Sequence, residues 1–384
     1  MKRTCPFLVC MAVVVSSMVA GCVGDPKLGT LVHEDTARPP AISLERAPAM
    51  DTLAARGADG RVHFIDVPTY GFVGAVSPPE GEGPLDMSAW VDDDGSFSLA
   101  LLARDEEEQS GTLALRAYDP PLSIFVRPRL LGTFEGSTNV LSVDRGAVVF
   151  QEDLGQRWIL ARSDGQWLPS KPCPIPTSLL RVVPTEDGLE VTALARSADD
   201  EPVVVHAVIT DEGVVTCEQE LVATPLSPSA RAVSLGEGDV VFDVADGSLV
   251  MGELGEQLLP VAFETDHIET AVAYDSDGAT FVAVLSSSPS RIGLVTIGQS
   301  PDGETVALEV RSHDVNGTIE PANAFFSRSV AFVSDRLFVA TRERLEAFDL
   351  SEDDVLAPIE LPPLMQKLRA PLTALPVLRR PRSP

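Results

Sequence analysis

The feature that most constrains this chain is a repeated unit of two short apolar strands joined by a tight turn. In residues 55–71 a strand reaches Asp59-Gly60, a run containing Val, Phe and Ile follows, and Pro-Thr-Tyr-Gly closes the unit. Asp-Gly is favoured in two-residue hairpins because type I′ turns need positive φ at both central positions. Seven Asp-Gly pairs occur in the sequence. The chain is therefore predicted to consist mainly of antiparallel hairpins.

The hairpins recur at a regular interval. The turn glycines are spaced about 40 to 50 residues apart; they are Gly95, Gly146, Gly188, Gly238 and Gly278. A further pair of apolar segments can be drawn after most of these hairpins, and no window shows a helical stripe. This period is typical of propeller blades. The sequence predicts an all-β chain with a single β-propeller of about seven blades (six to eight possible), each of about three to four antiparallel strands.

The blades are predicted at 50–80, 87–132, 134–176, 177–221, 230–263, 267–313 and 322–361. The first of them lacks one strand. A circular arrangement must close to hide its edges. Residues 41–47 and residues 370–378 are both candidates for the missing strand.

The segment from Asp59 to Asp66, with Thr69 and Gly71, resembles the strand-turn core of WD40-like and YVTN-type propeller repeats. Residues 345–350 are a fainter copy. The resemblance implies a propeller but no particular activity. Within such a repeat His63 is interpreted as a packed strand residue and Asp66 as a turn former.

The N-terminus carries an export signal. Lys2 and Arg3 precede a mostly apolar run at 6–20, which is shorter than a membrane-spanning helix. The run ends in Ala20-Gly21-Cys22, which resembles the lipobox of bacterial lipoproteins. That resemblance implies a signal peptide at 1–21, acylation of Cys22 with palmitate-type chains and a membrane anchor in the cell envelope. Val23 favours the outer membrane by the same resemblance, and the alternative is an ordinary cleaved signal peptide.

Four segments are predicted: the signal peptide 1–21, a lipidated N-terminus and flexible tether 22–49, the propeller 50–361, and a Pro-rich basic tail 362–384. The tether is rich in Pro and Gly. The tail has no acidic residue after Glu360. It either lies on the acidic body, closing the propeller, or forms an arm that touches anionic lipid or a partner.

The formal net charge is −28, with 57 acidic and 29 basic side chains. Such a surface repels phosphate backbones, so nucleic-acid binding is excluded. High charge favours solubility, and a cationic partner is the alternative interpretation.

Few residues are candidates for chemistry. Cys173 and Cys217 are a candidate disulfide in an exported protein, the alternative being two buried thiols. The five histidines (His33, His63, His206, His267 and His313) fall in no Gly-x-Ser-x-Gly or His-Glu-x-x-His motif. The acidic turns at 92–95 and 275–278 lack the full ligand pattern of a calcium loop. We therefore expect no metal site and no cofactor, and name no catalytic residue.

These features predict a cell-envelope lipoprotein whose propeller is a binding or scaffolding module for a protein or ligand partner, attached to the membrane through its N-terminal lipid. The alternatives are a propeller enzyme, such as a lactonase or glycan-active hydrolase, and an outer-membrane assembly factor. Sequence leaves the oligomeric state open.

Overall fold

The computed structural model describes only part of the chain. The described residues are 43–45, 51–78, 83–91, 97–104, 110–119, 124–125, 129–135, 138–143, 146–151, 157–162, 173–174, 176–185, 188–210, 215–235, 238–276, 279–301, 303–319, 329–350 and 356–375. The predicted signal peptide, Cys22, most of the tether and the last nine residues lie outside these ranges.

Twenty-nine strands are described. The first group is β1 (Ser43–Glu45), β2 (Thr52–Arg56), β3 (Val62–Asp66), β4 (Gly71–Val76), β5 (Gly83–Val91), β6 (Phe97–Arg104), β7 (Ser110–Asp119), β8 (Ile124–Phe125), β9 (Arg129–Glu135), β10 (Thr138–Val143), β11 (Gly146–Gln151) and β12 (Arg157–Arg162). The second is β13 (Pro176–Thr185), β14 (Gly188–Arg196), β15 (Pro202–Thr210), β16 (Val215–Leu221), β17 (Arg231–Ser234), β18 (Asp239–Ala245), β19 (Ser248–Glu253) and β20 (Leu259–Glu264). The third is β21 (His267–Ser276), β22 (Ala279–Ser288), β23 (Ser290–Gln299), β24 (Thr305–Asp314), β25 (Val330–Val333), β26 (Arg336–Ala340), β27 (Leu345–Asp349), β28 (Ala357–Ile359) and β29 (Arg369–Leu375). A 3-10 turn, Met365–Lys367, precedes β29.

The strands of the described ranges form seven sheets. In chain order their strand orders are β29-β2-β3-β4, β5-β6-β7 with β8 and β9 both on β7, β10-β11-β12, β13-β14-β15-β16, β17-β18-β19-β20, β21-β22-β23-β24 with β1 added to β21, and β25-β26-β27-β28. The pairings are antiparallel apart from that of β1, which runs parallel to β21. The architecture is a β-propeller. The predicted fold class is confirmed.

The strands form where the sequence combines β-branched and apolar residues with tight turns. The strand β25 (Val330–Val333) is buried at every position, as expected when both faces of a sheet are covered by neighbouring sheets. Asp246 and Gly247, which join β18 to β19, have φ of 52° and 75°. This is the double positive φ that a type I′ hairpin needs.

The first strand of each sheet lies innermost, next to the first strands of the neighbouring sheets. The inner strand β17 contacts β13 and β21, and β25 contacts β21 and β29. The strand β5 contacts β29 and β10. One edge of each inner strand pairs within its own sheet, so the other edge faces the central channel.

The apolar core lies between neighbouring sheets rather than within one sheet. One cluster joins the seventh sheet to the first and includes Leu53, Ile65, Phe338 and Met365, each at most 1% exposed. Comparable clusters lie between the fourth and fifth, fifth and sixth, sixth and seventh, and first and second sheets. Each sheet is therefore held by its neighbours.

The ring closes through the C-terminal strand. Residues Thr52 to Ala55 of β2 pair antiparallel with β29, Thr52 lying opposite Leu375. Of the two candidate segments, the C-terminal one supplies the missing strand of the first sheet. The propeller boundary at 361 was thus wrong, because β29 and the buried Met365 and Leu368 belong to the core. The other candidate contributes β1, which pairs with the sixth sheet.

The propeller has two faces, and we name each face after the strand ends that lie there. The crossover face is where inner strands begin, and includes the connections 57–61, 197–201, 222–230, 265–266, 341–344 and 360–368. The turn face is where inner strands end, and includes Asp51, residues 67–70, Leu235, Gly238 and residues 334–335.

Candidate functional site

The channel side of β21 carries another piece of the chain. Ser43 lies opposite Ala273, Leu44 opposite Tyr274 and Glu45 opposite Asp275 in a parallel register. Because β22 occupies the other edge of β21, the strand β1 lies on the channel side. The wall of the channel therefore already holds an extended peptide through backbone pairing.

A group of buried charges lies where β17 and β21 begin. The Nε of Arg231 donates to the main-chain oxygen of Glu269 at 3.0 Å, and its Nη1 donates to that of Ala230 at 2.9 Å. The Glu269 residue is 3% exposed. Burial lowers the pKa of Arg231, and the carboxylates of Glu269 and Asp243 oppose the shift. This cation joins the inner strands of the fifth and sixth sheets.

The carboxylate of Asp243 is another charged group that acts on Arg231. It accepts hydrogen bonds from the backbone N–H of Ser227 at 2.8 Å and of Val244 at 2.7 Å, and also from the Ser227 hydroxyl. Asp243 is 5% exposed. These three hydrogen bonds fix the position of the carboxylate.

His267 lies beside the buried carboxylate of Glu269 and is itself exposed to solvent. Its Nε2 lies 3.6 Å from Oε1 of Glu269, and its side chain is 45% exposed while that of Glu269 is 3% exposed. The Thr265 hydroxyl donates to the main-chain oxygen of His267 at 3.0 Å and lies 2.6 Å from the Ser286 hydroxyl. An imidazole beside a carboxylate can exchange a proton with a bound ligand or accept its hydrogen bond. We call His267, Glu269, Arg231 and Asp243 the channel-mouth cluster.

The first repeat is a structural unit, as its sequence indicated. His63 Nε2 lies 2.9 Å from Asp59 Oδ1 and its ring meets Phe72 edge-on at 5.6 Å. Partial burial acts to raise the pKa of Asp59, but hydrogen bonds from His63 and from the Arg61 N–H outweigh it, and the pKa is lowered. The Thr69 hydroxyl donates to Asp66 within the turn. His63 is therefore a packed residue within β3, and Asp66 takes part in the turn that follows this strand.

The other predicted residues are dispersed. Cys173 and Cys217 are joined by a disulfide with a Cα–Cα distance of 6.0 Å, which ties the segment entering β13 to β16 of the same sheet. His206 lies 3.4 Å from the Thr192 hydroxyl, and His313 packs on Phe348 with centroids 5.2 Å apart. Cys22, His33 and the acidic side chains of 92–94 and 277 lie outside the described residues.

Within the described ranges, no three His, Cys, Asp or Glu side chains are grouped so that they could hold a metal ion. Nor does any helix of that part of the chain have the length and apolar character needed to cross a bilayer.

No protein-family model and no curated protein matches this sequence. Among solved structures, it is similar to a candidate 6-phosphogluconolactonase of Bacteroides fragilis, with 14% identity and a TM-score of 0.46 over 84% of this chain and 97% of that one. A protein of Lactobacillus plantarum gives 11% identity and a TM-score of 0.41 over 81% and 97% of the two chains. An apocarotenoid oxygenase of Synechocystis gives 12% and 0.42 over 69% and 73%. Similarities this distant carry no argument about activity, and the fold rests on the sheet topology.

Sequence reasoning did not single out the channel-mouth cluster. A weak signal exists, because Arg231 is the first residue of β17 and Glu269 the third residue of β21, and the other residues of these strands are mostly apolar. These two strands come together only in the folded protein, since β18, β19 and β20 separate them in the chain.

Proposed function

We propose that the protein is an exported, lipid-anchored lipoprotein of the cell envelope whose WD40-like propeller is a binding or scaffolding module. The anchor is supported by the basic start, the apolar run and Ala20-Gly21-Cys22. Several acyl chains on one residue would hold the protein stably, whereas a single chain binds only marginally.

The observation that carries the binding role is the pairing of Ser43–Glu45 with β21. Propeller enzymes gather reactive residues from several blades around the channel. Here β1 occupies the channel side of the sixth sheet. The two faces of the propeller then remain as surfaces for recognition. Loops on a rigid scaffold are the usual carriers of binding residues.

The anchor is tested by replacing Cys22 with Ser in the native host. We expect the variant to lose acyl-chain labelling and to move from the membrane to the soluble fraction. Cys10→Ser, within the apolar run, is the matched control and should remain acylated. Retention of the Cys22→Ser protein in membranes would contradict the anchor.

The binding role is tested by cross-linking the acylated protein in its host and identifying the linked chains. A reproducible partner, lost when the contacting loop is substituted, supports a binding module. A partner belonging to an outer-membrane assembly complex would identify the assembly-factor alternative. A protein that cross-links to no partner at any loop would contradict the proposal.

One observation favours a second function, catalysis by a propeller enzyme. His267 and Glu269 place an accessible imidazole beside a buried carboxylate, an arrangement that suits general acid–base chemistry. Purified protein would be assayed against lactones and glycans, with His267→Gln and His63→Gln compared. Turnover lost only in His267→Gln would support the enzyme, and absence of turnover across the panel would count against it.

A further inference from the structure

The channel edge of β21 is only partly occupied. On its other edge β21 pairs with β22 through nine residues, whereas β1 pairs with three residues of the channel edge, Ala273 to Asp275. Within the described ranges no strand pairs with Thr270, Ala271 or Val272 on the channel edge. An extended peptide longer than β1 could therefore pair with the whole stretch 270–275.

A bulge marks where this regular edge begins. The register of β21 against β22 shifts between Ile268 and Thr270, so Glu269 has no opposite residue in β22. The main-chain oxygen of Glu269 accepts the hydrogen bond from Arg231 Nε instead. The uninterrupted edge therefore starts at Thr270, three residues before the first residue that β1 covers.

The pairing of β1 is short enough to exchange. A backbone hydrogen bond contributes only modestly to stability, because it replaces bonds to water. Ordering each residue of a strand costs conformational entropy of comparable size. The chain itself keeps β1 close to the edge, so a competing segment must pair over a longer stretch. Pairing along 270–275 provides that longer stretch.

The residues of β21 determine which segment fits. A residue that lies opposite Tyr274 shares the face of Tyr274. Tyr274 is 4% exposed and stacks on Phe332 of the neighbouring inner strand β25 with centroids 4.6 Å apart. Val272 belongs to the same apolar cluster, and the residue of β1 in register with Tyr274 is Leu44. The fitting segment is therefore extended, parallel to β21, and apolar at the two positions opposite Val272 and Tyr274.

We infer that the channel edge of β21 is a strand-addition site for such a segment of a partner protein, and that β1 is the chain's own occupant, which the partner displaces. In this mode of recognition the backbone hydrogen bonds give affinity and alternate side chains give specificity. The inference rests on the proposed binding role and names the class of ligand. It adds the channel to the two faces as a surface for recognition.

The site is tested in the full chain with a fluorescent peptide that has the sequence of residues 41–46, Ala-Ile-Ser-Leu-Glu-Arg. In the register of β1, its isoleucine and leucine fall opposite Val272 and Tyr274. The protein variant is Ser43→Pro/Leu44→Pro. Because successive N–H groups of a strand point to opposite edges, one of the two prolines removes a donor toward β21.

We expect the peptide to bind the double-proline chain at least about ten-fold more tightly than the original chain, because it no longer competes with a tethered strand. A peptide that carries the same two prolines is the control and should not bind. Equal affinity for the two chains, or no binding to the double-proline chain, would overturn the inference.

Position and chemistry are measured separately in the double-proline chain. A peptide with Ser43→Cys should form a disulfide with Ala273→Cys and not with Val272→Cys, since adjacent strand residues point to opposite faces. A peptide with Leu44→Lys should bind several-fold more weakly, because it would bring a charge beside buried apolar residues. Equal linkage to both cysteines, or undiminished binding of the lysine peptide, would contradict the assigned register.

A second variant keeps the test decisive if the two prolines disturb the fold. In Ser43→Cys/Ala273→Cys, oxidation ties β1 to the edge, and we expect peptide binding to be lost and to return on mild reduction. The original chain under the same reductant is the control, because it contains the Cys173–Cys217 disulfide. Peptide binding that oxidation leaves unchanged would overturn the inference.

The peptide assay and the search for a partner fail independently. If the peptide does not bind, this site is wrong, and the two faces remain the surfaces for recognition. If no partner cross-links in the host, the proposed binding role is wrong even where the peptide binds. Size-exclusion chromatography of the original and double-proline chains together should show monomers. A mixed dimer would identify another copy as the occupant and overturn the assignment to a partner.

Discussion

The Nε of Arg231 donates to the main-chain oxygen of Glu269 at 3.0 Å, so one buried guanidinium joins the inner strands of the fifth and sixth sheets. Replacing Arg231 with Met would remove the charged donor to the main-chain oxygens of Glu269 and Ala230. We expect a loss of about 1–3 kcal/mol in the free energy of unfolding, because these acceptors lose a hydrogen bond from a charged group. Urea unfolding measures it. Arg61→Met, at an exposed position, is the control and should change little; equal losses would contradict the role of Arg231.

Arg336 joins the seventh sheet to the first. Its guanidinium lies 4.7 Å from the centre of the Tyr70 ring, and its Nη1 donates to the main-chain oxygen of Val67 at 2.8 Å. Arg336→Leu should cost about 1–2 kcal/mol through the lost stacking and hydrogen bond. Arg336→Lys keeps the charge but not the planar group, so we expect an intermediate loss. A lysine variant as stable as the original chain would show that stacking contributes nothing.

The disulfide closes a loop with a sequence separation of 44 residues. In the entropic model, losing it removes up to roughly 4 kcal/mol, because the unfolded chain gains freedom. The double variant Cys173→Ser/Cys217→Ser should therefore unfold at lower urea concentration than the oxidised protein. Reducing agent should shift the original chain in the same direction and leave the double variant unchanged. A shift of the double variant under reduction would contradict this account.

The ionised side chain of Asp239 should destabilise the fold at neutral pH, and this cost should disappear in acid. Burial raises its pKa above 3.8, although Ser234, Arg181 and His206 act to lower it. An acid with a raised folded pKa destabilises the fold above the raised value, and this cost disappears as pH falls below the unfolded pKa.

Asp239→Asn should therefore raise Tm at neutral pH by about 1 °C, and the gain should shrink toward pH 4. Asp199→Asn, on an exposed connection, is the matched control. A gain that is independent of pH would contradict the assignment to ionisation.

The sequence predicted the sheets because each hairpin is formed by residues that are close together in the chain. Asp-Gly turns and apolar runs such as residues 330–333 mark these hairpins in the sequence. Closure was left open between two segments, since the pairing of Thr52 with Leu375 joins the two ends of the ring and has no local signal. The basic character of residues 362–384 suggested a tail, but Leu372 and Leu375 within it are at most 1% exposed.

The channel-mouth cluster was missed for the same reason. Arg231 and Glu269 meet only when the ring forms, and each looks like an ordinary strand residue in the chain. The Cys173–Cys217 disulfide could be proposed from sequence because exported proteins favour paired cysteines, which needs no knowledge of geometry.

Thermal unfolding of two shortened chains tests the closed ring most directly. A chain ending at Leu361 lacks β29, so the first sheet loses its inner strand and the core cluster loses Met365, Leu368 and Leu372. A chain ending at Leu375 keeps all of them. We predict that the first chain loses cooperative unfolding, whereas the second has a Tm within about 2 °C of the full protein. Cooperative unfolding of the chain ending at Leu361, at the Tm of the full protein, would contradict closure by the C-terminal strand.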